Sequence, residues 1–201
     1  MWIKICGLTS AAAVARALEL QVDAVGFVFA PSVRRVSAQA ALELAAPARG
    51  RVRCVAVMRH PQPEELAEVL EVFAPDVLQS DAADFATLKL PVQLERLPVL
   101  RDGEEVPPEL PGRLLYESAV SGAGRTSDWR AARQLARRTQ LVLAGGLRAA
   151  NVAQAIARVR PCGVDVSSGV EERPGLKSPA AMECFVHAVR AAAQNHSEVV
   201  P

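Results

Sequence analysis

The segments Trp2-Ile3-Lys4-Ile5-Cys6, Ser10-Ala11-Ala12-Ala13-Val14-Ala15-Arg16-Ala17-Leu18-Glu19-Leu20 and Ala24-Val25-Gly26-Phe27-Val28 follow one another at the start of the chain. The first and third are short apolar runs of strand type. The second puts Ala13, Val14, Ala17 and Leu18 on one helical face, behind a serine suited to cap a first turn. Strand, helix and strand in that order form a βαβ unit, whose strands pair in parallel.

The same alternation continues to the C-terminal end. Strand-like runs are expected at 2–6, 24–28, 53–58, 76–78, 92–97, 114–116, 140–144 and 163–166, which makes eight. Helical patterns are expected at 10–20, 37–46, 63–73, 128–138, 151–159 and 179–194. Eight repeats predict an α/β fold of the (β/α)8 TIM-barrel type; a doubly wound open sheet is the rival. With 201 residues the barrel must be compact, so something is abbreviated. The segment 98–113, with Val106-Pro107-Pro108-Glu109-Leu110-Pro111, makes a poor helix. Helix 5 is therefore expected to be shortened or replaced by a loop. No linker interrupts the pattern, so one domain over 1–201 is expected, with a tail at 195–201 that can fray.

Composition narrows the function. Half of the chain is apolar, 22% is charged, and the mean hydropathy is +0.14, which supports a sizeable core. A net charge of +1 with only 4% aromatic residues gives no reason to expect nucleic acid or membrane as partner. No membrane-spanning run and no signal-peptide anatomy are seen, and the four cysteines form no disulfide framework. A reduced, cytoplasmic protein is the expectation. The three histidines are not spaced as metal ligands, so no metal is expected. Of the 23 basic residues, Lys4, Lys89 and Lys177 are lysine, leaving 23 − 3 = 20 arginines.

Barrel enzymes work at the C-terminal ends of their strands, so the residues that follow each strand are the candidates. Lys4 and Cys6 share one face of the first strand. Cys6 is either an inert buried thiol or a thiolate favoured by the nearby ammonium. Arg34 and Arg35, after the second strand, either grip a carboxylate or phosphate or are solvated. Asp128 opens a helix and reads first as an N-cap. Gly145 and Gly146, then Ser167, Ser168 and Gly169, follow the last two strands, where such barrels hold phosphate on backbone N–H groups. Asp165, inside the eighth strand, needs either an ion-pair partner or a ligand. Cys54, Cys162 and Cys184 read as core or packing residues, and His60, before Pro61, as a loop residue facing solvent.

These segments, in this order, resemble phosphoribosylanthranilate isomerase, a barrel enzyme of tryptophan biosynthesis. Lys4-Ile5-Cys6-Gly7 resembles the family's opening K-I-C-G. Asp23-Ala24-Val25-Gly26-Phe27-Val28-Phe29 and Ser32-Val33-Arg34-Arg35-Val36-Ser37 are similar to its second strand and loop. Gly122-Ala123-Gly124-Arg125-Thr126-Ser127-Asp128-Trp129 resembles its catalytic loop. Leu143-Ala144-Gly145-Gly146-Leu147 and Gly163-Val164-Asp165-Val166-Ser167-Ser168-Gly169-Val170-Glu171 resemble its last two strand ends, and Pro174-Gly175-Leu176-Lys177 the P-G-x-K that follows. The resemblance implies an Amadori rearrangement with Cys6 as general base and Asp128 as general acid. It also implies Arg34 on the anthranilate carboxylate, Gly145, Gly146, Ser167, Ser168 and Gly169 on the phosphate, and no cofactor. A base of this kind needs a depressed thiol pKa, with Lys4 as a contributor.

The chain departs from the family in places. Gln79-Ser80-Asp81-Ala82 stands where the family has Q-L-H-G, and Leu115-Tyr116-Glu117 where it has L-D. Arg125 and Ser127 replace a lysine and a phenylalanine. Two alternatives remain. A sibling isomerase of the histidine pathway would use aspartate where Cys6 stands, and a silent phosphate-binding barrel would lack the acid–base pair. Monomer and homodimer are both compatible with the sequence.

Overall fold

A computed structural model describes residues 1–120 and 124–197. Eight parallel strands close into a barrel in chain order. They are β1 (Trp2–Cys6), β2 (Ala24–Val28), β3 (Arg53–Val57), β4 (Val77–Asp81), β5 (Glu95–Arg101), β6 (Arg113–Glu117), β7 (Gln140–Leu143) and β8 (Gly163–Val166). The ring closes through β1 and β8, with Trp2 beside Gly163 and Lys4 beside Asp165. The open-sheet alternative is thereby excluded.

Period-two alternation sorts the strand residues into two apolar layers. Ile3, Ile5, Val25, Phe27, Leu141, Leu143, Val164 and Val166 face the surrounding helices. Ala24, Val55, Val77, Leu97, Val99, Leu115 and Val142 fill the barrel itself. Each larger aliphatic side chain buried in this way contributes about 1.5–3 kcal/mol.

The helices are α1 (Ala11–Glu19), α2 (Ala38–Ala45), α3 (Pro63–Glu68), α4 (Trp129–Ala136), α5 (Ala149–Val159) and α6 (Pro179–Ser197). Ser10 and Ser37 cap α1 and α2, each accepting from the N–H three residues on, at 3.3 and 3.1 Å. The expected helix at 63–73 continues past α3 as a π-helical turn, Val69–Phe73, ended by left-handed Ala74. That turn lets Phe73 pack on Phe27 and Phe29, with ring centroids 5.4 Å apart in both pairs.

The short chain is accommodated where the sequence predicts. Residues 102–112, between β5 and β6, contain no helix, and β4 is followed only by the 3-10 segment Ala82–Ala86. Two strands run well past their expected ends. β4 runs on to Asp81, and β5 runs on through Pro98 to Arg101. Their charged ends resemble loop residues in sequence, but Asp81 and Arg101 are buried and paired with each other. A hairpin not expected from the sequence, β9 (Glu171–Arg173) and β10 (Leu176–Lys177), stands between β8 and α6. Cys54 is buried as expected, whereas Cys162 and Cys184 are exposed. Cys184 lies on the solvent side of α6, while Met182, Phe185, Val186 and Val189 form its packed side. Of the expected tail, residues 198–201 lie outside the described residues. Among the described residues no helix is long and apolar enough to cross a membrane.

Candidate active site

Cys6 ends β1, buried in the barrel mouth opposite Gly26, where an added Cβ would come within 3.0 Å of the Cys6 sulfur. One turn of the pleat below, Lys4 is fully buried and donates to Asp165 Oδ1 at 2.8 Å. Asp165 therefore has the ion-pair partner that its place in β8 demands. Burial alone would lower the Lys4 pKa, but Asp165 and Cys6 outweigh it and the ammonium is held raised.

The thiol itself departs from the depressed pKa that the sequence suggests. Burial pushes Cys6 up, and the lowering by Lys4 and Lys177 does not cancel it, with Asp165 adding to the rise. The Lys4 charge is already shared with a carboxylate, so it cannot act on sulfur alone.

Arg34 follows β2 and is buried, whereas Arg35 is exposed and reaches Glu65 at 3.2 Å. Only the first of the two expected arginines therefore belongs to the site. Its guanidinium is gripped in bidentate fashion by Glu171, Nε to Oε1 at 2.7 Å and Nη2 to Oε2 at 2.8 Å. Lys177 Nζ donates to the same Glu171 Oε1 at 2.7 Å and to the Ser167 carbonyl at 3.0 Å. Burial raises the Glu171 carboxyl, but hydrogen bonds from Arg34 and Lys177 outweigh that and hold it lowered. The β9–β10 hairpin thus aims the arginine.

The expected phosphate residues converge. Gly145, Gly146, Ser167, Ser168 and Gly169 line one cleft together with Glu117, Ser118 and Asp165. A second cleft joins Gly146, Ser168 and Gly169 to Arg34 and Arg148. The loops here touch backbone to backbone. A Cβ on Gly169 would overlap the Leu147 carbonyl, and one on Gly146 would meet Thr126 N at 2.6 Å. Asn151 Nδ2 donates to the Gly146 carbonyl at 2.9 Å, and Ser127 Oγ to the Ala144 carbonyl at 2.8 Å. Close-packed loop backbone offering N–H groups suits an anion.

Asp128 caps α4, its Oδ1 accepting from the N–H of Arg130 at 2.7 Å and of Ala131 at 3.3 Å. Its own N–H donates to both carboxylate oxygens of Asp102, at 3.1 and 3.0 Å. Asp102 begins the loop that replaces a fifth helix. Burial raises the Tyr116 pKa first, and Asp102 and Asp128 raise it further. Asp128 remains exposed, after β6, with β7 and β8 standing between that strand and β1 in the ring. The cap role read from the sequence is real and leaves the carboxylate facing open space. Ser121, Gly122 and Ala123 of the preceding loop lie outside the described residues.

The strand ends that depart from the family pattern form one ion network. Arg101 is paired with Asp81 and, at 2.9 Å, with Glu117. Arg59 adds a contact to Asp81 at 3.4 Å. His60 is exposed as expected, yet its ring is held by Asp84 at 2.7 Å. His60, Asp81 and Asp84 bring donor atoms within 4.8 Å of one another, a grouping invisible in the sequence spacing. Arginine contacts already occupy Asp81, and Ser80 and His60 occupy Asp84, so the group serves as a salt-bridge network. Sequence reasoning missed Asp102, Arg101 and the Glu171–Lys177 clamp. The scarcity of lysine was the one signal for the last.

Fold and site together define a (β/α)8-barrel enzyme whose polar groups gather at the C-terminal mouth. Residues 3–188 match the protein family described as N-(5'phosphoribosyl)anthranilate (PRA) isomerase. The N-(5'-phosphoribosyl)anthranilate isomerase of Rhizobium meliloti (strain 1021) is 37% identical over 209 residues, covering 94% of this chain and 97% of that protein. The phosphoribosyl anthranilate isomerase of Thermus thermophilus superposes with a TM-score of 0.83 at 28% identity, over 95% of this chain and 99% of that one. A PRA isomerase solved in complex with reduced 1-(o-carboxyphenylamino)-1-deoxyribulose 5-phosphate has a TM-score of 0.77 at 26% identity, over 95% and 99% of the two chains. The chain belongs to the PRA isomerase family.

Proposed function

We propose that this chain converts N-(5-phosphoribosyl)anthranilate to 1-(2-carboxyphenylamino)-1-deoxyribulose 5-phosphate in tryptophan biosynthesis, with Cys6 as general base and Asp128 as general acid. The observation that carries the assignment is their placement. A buried thiol ends β1 and an exposed carboxylate opens α4 after β6, and the glycine and serine loops follow the two strands, β7 and β8, that lie between. In the reaction Asp128 gives its proton to the furanose ring oxygen as the C1–O bond breaks and the anthranilate nitrogen forms a Schiff base at C1. The Cys6 thiolate then removes the C2 proton. The resulting enolamine tautomerises to the ketone, with C1 taking up a proton. Acid and base on opposite sides of the sugar suit this sequence.

Gly145, Gly146, Ser167, Ser168 and Gly169 would hold the phosphate, and Arg34 the anthranilate carboxylate. Because Glu171 occupies the Nε–Nη2 edge of Arg34, the substrate takes the remaining edge. Replacing Arg34 by lysine keeps the charge and loses the fork. It is expected to raise KM about tenfold or more with a smaller change in kcat, measured by steady-state kinetics. Asp165 serves the substrate indirectly, through Lys4. Residues 1–201 are taken as one domain acting in a reducing cytoplasm, as a monomer or homodimer with no nucleic-acid partner.

The test is loss of anthranilate fluorescence when purified protein meets freshly generated substrate, with EDTA present. Rapid loss beyond spontaneous hydrolysis, without free anthranilate, is the expected result. Folded protein that gives no turnover would overturn the reading.

A further inference from the structure

Charged groups gather beside Cys6. Lys4 and Asp165, inside the barrel, and Lys177, from the hairpin, act on its thiol; Arg34, from the loop after β2, is coupled to it, and Glu171 joins Arg34 to Lys177. Three cations against two carboxylates leave one positive charge in excess in this group. The excess has an address. Lys4 and Asp165 form one pair, and Arg34 and Glu171 form a bidentate one. Lys177 must share the Glu171 carboxylate that Arg34 already holds.

Lys177 is fixed as well as charged. Its Nζ donates to the Ser167 carbonyl at 3.0 Å, and Ser167 Oγ lies 3.3 Å away. Ser167 in turn packs on Gly7, the residue after Cys6, where an added Cβ would meet its Oγ at 3.1 Å. The chain has three lysines among 23 basic residues. Lys89 is exposed, and the two buried ones are Lys4 and Lys177. A compact ammonium fits where a planar guanidinium does not, which accounts for lysine at these two places in an arginine-rich chain.

We propose that Lys177 is a positioning residue for the base: held by Glu171 and Ser167, it supplies the buried positive charge that the Cys6 thiolate balances when the thiol ionises. The proposal rests on the reading of Cys6 as base. Electrostatics agree with the geometry. After burial, which raises the thiol, Lys4 and Lys177 both lower it; burial holds Lys177 itself below the ordinary lysine value, against the raising by Glu171 and Cys6. A thiol held above its ordinary value must lose its proton before it works, so kcat/KM should rise with pH through neutrality, about tenfold per unit on the acid limb.

The experiment compares two variants of opposite charge effect. Lys177→Met removes the cation and should move the acid limb of kcat/KM to higher pH by about one unit, a tenfold loss near neutrality that shrinks as pH rises. Glu171→Gln removes an anion and should move the same limb to lower pH, whatever it does to KM. Alkylation of Cys6 by iodoacetamide, followed peptide by peptide against pH, should shift in the same two directions. Arg34 still pairs with Glu171 in Lys177→Met, so no carboxylate is orphaned, and thermal unfolding checks that both variants fold. Equal losses at every pH, with alkylation unmoved, would overturn the proposal and leave Cys6 as base intact. Shifted alkylation alongside full turnover by Cys6→Ala would instead overturn the base assignment, and the catalytic role of Lys177 with it.

Discussion

Cys6→Ala is expected to lower kcat by about a thousandfold, with KM changed only a few-fold, in the fluorescence assay. The magnitude is that of a general base acting in the step that breaks a C–H bond. Among the described residues, no other group in the mouth is placed to substitute. Asp165 is committed to Lys4, Glu171 to Arg34 and Lys177, and Glu117 to Arg101. The obvious objection is packing, since Cys6 is buried and alanine leaves a gap. Cys6→Ser answers it. Serine preserves size and a hydrogen-bonding group, but its hydroxyl does not ionise in the working range. The serine variant should therefore be as inactive as alanine while unfolding near the wild-type temperature. Serine with substantial activity would show that the site needs a small polar group there and not a base.

Much of this site was legible because barrel geometry makes it so. Once Trp2–Val28 is read as strand, helix and strand, candidates are sought after the strands, which brings up Cys6, Arg34, Asp128 and the two small-residue loops; the geometry left their roles open, and the family resemblance supplied the proposed ones. What was not legible depends on contacts across the ring. Asp81 and Arg101 are 20 residues apart in sequence, and each alone resembles a loop residue; as a buried pair they extend two strands. Arg34 and Glu171 are 137 residues apart, so no local pattern could show that the arginine arrives already gripped. The thiol pKa was misjudged for a related reason. Spacing shows that Lys4 lies near Cys6, but not that Asp165 shares the lysine's charge or that burial dominates. Cys162 and Cys184 were misplaced because an apolar neighbourhood in sequence does not say which side of a turn or helix a residue occupies.

Asp128 poses the harder question, because a structural role and a catalytic one fall on the same side chain. Asp128→Asn separates them. Asparagine caps helices about as well as aspartate, so α4 should keep its first turn and stability should change by only a few tenths of a kcal/mol. It carries no acidic proton, so kcat should fall by about a hundred- to ten-thousandfold. Asp128→Ala loses both functions. It should match asparagine in kcat and lose about 1 kcal/mol of stability besides, seen as a lower urea midpoint. Asp102 gives the comparison its edge. Its carboxylate accepts from the Asp128 N–H, and it is the other acid on this side of the mouth. If Asp102 only positions, Asp102→Asn should cost far less than Asp128→Asn, because an amide oxygen still accepts from the Asp128 backbone. If the order is reversed, with Asp128→Asn active and Asp102→Asn silent, the proton comes from the loop that replaced helix 5. The compact barrel would then have moved its acid one strand over when it lost that helix.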